Sequence, residues 1–143
     1  MNELEFYKML SQKADREYSS VTDLLPKVQD ERLRQDMARQ MDGYRRFSHL
    51  AQEHLSASGR KGGKPSRLSA LPGRMGRMVN TMFNTSREHI ATLMIHNSNA
   101  SILALHRTMN RLAEYKGSEE AVALCRQVID FEQENITRMQ KYI

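Results

Sequence analysis

The chain has no tryptophan, one cysteine, three prolines and few aromatic residues in 143 positions. A single thiol, Cys125, excludes an internal disulfide and any multi-cysteine zinc or iron–sulfur site. The longest apolar runs, such as A-T-L-M-I at 91–95, are far too short to cross a bilayer. The opening M-N-E-L-E-F-Y-K carries acids and lacks the basic-then-apolar order of a signal peptide. Glycine is sparse outside one loop, and no segment sustains the alternation of a strand. Neither a phosphate-binding loop nor a spaced nucleophile triad can be assembled. These absences lead us to expect a soluble, cytoplasmic, all-helical protein with no transmembrane segment.

Charge is plentiful, with 22 Lys and Arg against 17 Asp and Glu. The formal balance of +5 favours anionic partners only weakly. The length suits one domain, residues 1–143, able to bury a substantial core.

Four segments carry apolar residues at helical spacing. The first, about 3–26, has Tyr7, Leu10, Ala14, Tyr18, Val21 and Leu25 on one stripe, with Pro26 ending it. The second, about 30–57, has Leu33, Met37, Met41, Tyr44, Phe47, Ala51 and Leu55, with Asp30 as N-cap and Gly59 beyond its end. The third, about 85–116, follows a Thr85-x-x-Glu88 capping box and turns Ile90, Leu93, Asn97, Ala100, Ala104 and Leu105 inward. The fourth, about 118–142, is capped by Ser118 and carries Ala121, Cys125, Val128, Glu132, Ile136 and Met139, with Ile143 extending its stripe. A loop over 58–72 and a short helix over about 73–84 separate the second from the third. Short, long and short connections predict a four-helix bundle of two antiparallel hairpins joined by a long crossover.

Polar residues interrupt these stripes. The segment I-H-N-S-N-A-S, residues 95–101, puts His96, Asn97, Ser98, Asn99 and Ser101 in mid-helix, where such side chains compete for backbone hydrogen bonds. Glu132 breaks the fourth stripe. Tyr18, Tyr44, Asn97 and Glu132 fall on or beside inward faces near mid-segment, which predicts a buried polar network in which phenol and amide donors serve the carboxylate.

The text S-Q-K-A-D-R-E-Y, residues 11–18, is similar to the rubrerythrin-type pattern of Glu, Ala and Tyr, with Ser11 in place of the Glu. The text Y-R-R-F-S-H-L-A-Q-E-H-L, residues 44–55, resembles the second helix of small bacterial ferritin-like proteins. With four helices and a long middle connection, the chain resembles the ferritin-like bundles over most of its length. That resemblance implies a carboxylate-bridged pair of iron or manganese ions, held by a Glu from each of two helices and a Glu-x-x-His from each of the other two. Here no Glu-x-x-His occurs. Ser11, Met41-x-x-Tyr44, Asn97 and Glu132-x-x-Asn135 stand where ligands would be. The preferred expectation is therefore a non-enzymatic bundle with no cofactor, acting as a structural or interaction module towards a protein partner. The alternative is a divergent iron or manganese protein with a reduced ligand set of Glu132, Glu17 and His96.

A third reading rests on Arg60, Lys61, Lys64, Arg67, Arg74 and Arg77, a basic stretch able to contact phosphates of nucleic acid or an anionic surface. It has no interleaved aromatics to stack bases, so a solvated loop is preferred. Met75, Met78, Met82 and Phe83 form an apolar strip that could serve a homodimer. His49, His54, His89 and His106 read as surface or edge residues, and Cys125 as inert packing.

Overall fold

The computed structural model describes residues 1–59 and 84–143. Four long helices make up these residues: α1 (Glu3–Leu24), α2 (Glu31–Ala57), α3 (Arg87–Leu112) and α4 (Glu119–Gln140). No strand occurs among the described residues, and no helix there is long and apolar enough to cross a membrane. The loop and short helix expected over 58–84 fall almost wholly outside the described residues. So do the six basic candidates Arg60, Lys61, Lys64, Arg67, Arg74 and Arg77, and the strip Met75, Met78, Met82 and Phe83.

The helix ends follow from local chemistry. Asn2 opens α1 with a reciprocal box: its side chain accepts from the Glu5 amide at 2.9 Å, and Glu5 accepts from the Asn2 amide at 3.0 Å. Pro26 sits in a 3-10 turn, Leu25–Lys27, that ends α1. The Arg34 guanidinium donates to the carbonyls of Leu25 (2.8 Å) and Val28 (3.0 Å) and fixes that turn against α2. Asp30 caps α2 by accepting from the Leu33 amide at 2.9 Å. The cap of α3 is Ser86, one residue past the expected Thr85, and it accepts from the His89 amide at 3.2 Å. Helix α3 ends at Leu112, a turn before the bound drawn from sequence, and Gly117 takes φ +81° in the link to α4. Ser118 precedes α4 but makes no side-chain cap. Its hydroxyl instead donates back to the carbonyls of Leu112 (2.6 Å) and Tyr115 (2.7 Å), welding the two helices together.

Contacts between helices set the directions. Between α1 and α2, Tyr7 stacks on His54, Gln52 donates to Ser11, and Ser48 donates to Asp15, so the pair is antiparallel. Cys125 meets Leu105 and Glu132 meets Ser98, so α3 and α4 are antiparallel as well. The pairings Glu17–Asn97 and Met9–Thr108 make α1 antiparallel to α3; Tyr44–Glu132 and Asp36–Tyr142 make α2 antiparallel to α4. Helices α2 and α3 therefore run the same way, and residues 58–86 join opposite ends of the bundle. At the α3 start, Arg87 meets Asp30 of the α1–α2 turn at 3.1 Å.

The core is one apolar cluster drawn from all four helices, including Phe6, Leu10, Leu24, Leu33, Met37, Phe47, Ile90, Met94, Leu105, Leu112 and Met139. Several inward faces differ from the expected stripes. Helix α3 buries Met94, Ser98, Ser101 and Leu105, while Ala100 and Ala104 are exposed and Leu93 and Asn97 are half-buried. Both stripes have helical spacing. Ile90 and Leu105 belong to both; in the observed one Met94, Ser98 and Ser101 take the inward places that Leu93, Asn97 and Ala100 hold in the expected one, and Met94 joins the core cluster. In α2, Gln40 is buried while Met41 is half-buried; in α1, Glu17 and Leu24 point in while Tyr18 and Leu25 lie at the edge. At the C-terminus Tyr142 is buried and Ile143 is 61% exposed, because the Tyr142 hydroxyl reaches Asp36.

Candidate functional site

The polar centre of the bundle is built around Glu132, which has no exposed surface. Three donors converge on its Oε1: the Tyr44 hydroxyl at 2.8 Å, the Asn135 amide at 3.0 Å and the Ser98 hydroxyl at 3.4 Å. The Gln40 amide donates in turn to the Tyr44 oxygen at 3.0 Å. Gln40 and Tyr44 lie one turn apart on α2, as Glu132 and Asn135 do on α4, so each helix contributes its pair on one inward face. Phe131 closes the side, packing edge-on against Tyr44 at 5.2 Å and Phe47 at 5.3 Å.

Four buried polar atoms have no partner among the described residues: Glu132 Oε2, Gln40 Oε1, Asn135 Oδ1 and Ser101 Oγ. Glu132 and Ser101 line a small cavity, with Glu17, Lys13 and Tyr44. It leaves about 10 Å³ for the centre of a water molecule, which is room for roughly one. Burial pushes the Glu132 carboxyl above its ordinary value despite the donors that favour its charged form, and the nearby Glu17 charge pushes the same way. Burial likewise lifts the Tyr44 phenol well above its usual range, with Glu132 adding to the effect.

Of the residues singled out in the sequence, Tyr44 and Glu132 are joined directly. Asn97 is elsewhere: it donates from the shoulder of α3 to Glu17 on α1. Glu17 is also 3.7 Å from the Lys13 ammonium. Tyr18 lies at the α1–α2 edge, where the Arg45 guanidinium both donates to its hydroxyl and stands over its ring. His96 is exposed on α3. Ser98 and Ser101, not Asn97, are the members of I-H-N-S-N-A-S that face the core. Gln40, Ser98 and Asn135 are the members of the network that the expected stripes left out; for Gln40 the signal was there. Its spacing from Leu33, Met37 and Tyr44 matches the inward face, but Met41 is the more apolar neighbour.

Among the described residues, no three of His, Cys, Asp and Glu come together to hold a metal ion. The donor chemistry points the same way. The position that would present an imidazole lone pair carries Asn135, whose amide donates to Glu132. Three donors already converge on Glu132 Oε1, and only its Oε2 is left without a partner among the described residues. Glu17 is taken up by Asn97 and Lys13. These residues do not fit a carboxylate-bridged metal pair.

Of the other candidates, His54 stacks on Tyr7 at 4.2 Å and sits 3.7 Å from Glu120 at one end of the bundle. Cys125 donates to the Leu105 carbonyl at 3.4 Å, and burial pushes its thiol up to about 11. A thiol so held is a poor nucleophile at neutral pH. Neither a protein-family model, a curated protein nor a solved structure matches the chain.

Proposed function

We propose that this protein is a ferritin-like helical bundle whose metal centre has been replaced by a hydrogen-bonded carboxyl group, and that it works as a structural or interaction module rather than as an enzyme. One observation carries the reading: Glu132, buried at mid-bundle, is surrounded by neutral donors from α2, α3 and α4 in place of further carboxylates and imidazoles. A metal ion compensates buried carboxylates with charge; here hydroxyls, amides and a raised proton affinity do so. The helix order and directions, with like-directed α2 and α3, support the ferritin-like assignment. Nothing in the centre offers a reacting group with access to substrate, since the adjoining cavity has room for about one water.

The test is metal analysis of the full chain, produced with iron and manganese in the medium and passed through gel filtration. A metal-free module retains well under one equivalent of either. About two equivalents per chain, held through the column, contradict it.

A further inference from the structure

The outer face of α3 is unlike the other described surfaces of the bundle. From His89 to His106 the chain contains no Asp, Glu, Lys or Arg. The inward side of that stretch fills the core, but the outward side exposes His96, Asn99, Ala100, Leu103 and Ala104. Leu103 is 55% exposed, one of three large hydrophobic residues left so open among the described residues. Ile95 and Ile102 are half-buried beside this face. A solvent-facing helix side ordinarily carries charges, as those of α2 and α4 do with Arg45, Arg46, Asp130 and Glu134. About five turns without one, with small side chains at Ala100 and Ala104, form a surface on which a second helix backbone can approach closely.

We propose that this face is the self-association surface of the protein, on which α3 of a second copy packs antiparallel. Charge selects that occupant. The chain has a formal balance of +5, so two copies repel at most relative orientations. The neutral face is where they can meet without opposing like charges. The ends of α3 are complementary to each other: its sole acid, Glu88, is exposed near the start, while Arg107 and Arg111 are exposed near the finish. Arg87, beside Glu88, is already paired with Asp30 of its own chain. An antiparallel arrangement sets the acidic start of each helix towards the basic finish of the other, and it opposes the two helix dipoles favourably. A two-fold pairing is also self-complementary by construction, with the residues near Ala100 meeting their own copies at the axis. One helix face is smaller than the roughly 800 Å² per partner of a standard stable interface, so the dimer is a weak, concentration-dependent one.

This deepens the interaction-module reading by naming the partner, and it rests on that reading only for its biological use. Sedimentation velocity on the full chain over a wide concentration range should show a reversible monomer–dimer equilibrium. Leu103→Lys puts a charge at the centre of the face, at a site already exposed to water. It should raise Kd by at least about tenfold while leaving the circular dichroism and melting temperature of the monomer unchanged. Ala100→Cys should give an intermolecular disulfide on mild oxidation. Gln133→Cys, on the outer side of α4, should not. A chain that stays monomeric at the highest concentration, or a dimer that survives Leu103→Lys, overturns the proposal. Metal content is unaffected by either result, so failure here is distinguishable from failure of the metal-free reading.

Discussion

Glu132 and Asp36 are two buried carboxyl groups treated in opposite ways by their surroundings. At Glu132, burial and the Glu17 charge outweigh the donors, so the folded protein holds the proton more tightly than the unfolded chain does. Its contribution to stability is complete below the unfolded value, near 4.5, and is lost as pH rises through the folded value. Glu132→Gln keeps an acceptor for Tyr44 and removes the titration. It should therefore be more stable than the parent by about 1–3 kcal/mol at neutral pH, with the gap closing towards pH 4. Thermal unfolding followed by circular dichroism across that range checks this, and a Gln variant less stable at every pH contradicts it. At Asp36, burial again disfavours the charge, but hydrogen bonds from Lys141 (2.8 Å) and Tyr142 win and hold the carboxyl below its ordinary value. The sign reverses: stability is present above the unfolded value and is lost as pH falls through the folded one. Tyr142→Phe should cost about 1–3 kcal/mol near neutral pH, and its cost should fade in acid as Asp36 protonates. Denaturant titrations at two pH values measure it.

At the scale of elements, the approach of α2 to α4 depends on a position with no side chain. A Cβ added at Gly43 would lie 2.1 Å from Phe131 Cε2 and 2.3 Å from its Cζ. The ring is held between Tyr44 and Phe47 and cannot simply swing away. Gly43→Ala should therefore destabilise by about 1–3 kcal/mol through overpacking, although alanine is the better helix former. The urea midpoint should drop with the slope unchanged, and a rise would show that helix propensity prevails. How much was legible in the sequence differs by element for a physical reason. Helix α2 was readable because Leu33, Met37, Tyr44, Phe47, Ala51 and Leu55 mark one inward face, with Met41 competing only for the place of Gln40. Helix α3 was not. Adjacent pairs such as Leu93 and Met94, Asn97 and Ser98, or Ala100 and Ser101, produce two stripes about 100° apart with similar character. Only packing against α1 and α4 decides between them. The core serines were therefore hidden behind Asn97, and Gln40 behind Met41. Tyr44 and Glu132 stood out because each falls in its helix's apolar stripe whichever neighbour is chosen.

The whole molecule joins two antiparallel hairpins so that a polar centre contributed by α2, α3 and α4 is sealed from solvent at mid-bundle. A carboxyl group in such a centre needs compensation, and in the proposed reading neutral donors and a proton supply it. Along most of the described surface, charge separates outside from inside. The outer face of α3 is the exception, and the proposed dimer covers it with a second copy. The account of the centre depends on its working without metal. The most direct measurement is the iron and manganese content per chain of protein made in metal-supplemented medium, determined on gel-filtered material alongside Glu132→Gln. Well under one equivalent in the parent, with no change in the variant, is the predicted result. One or two equivalents in the parent that disappear in Glu132→Gln would contradict it.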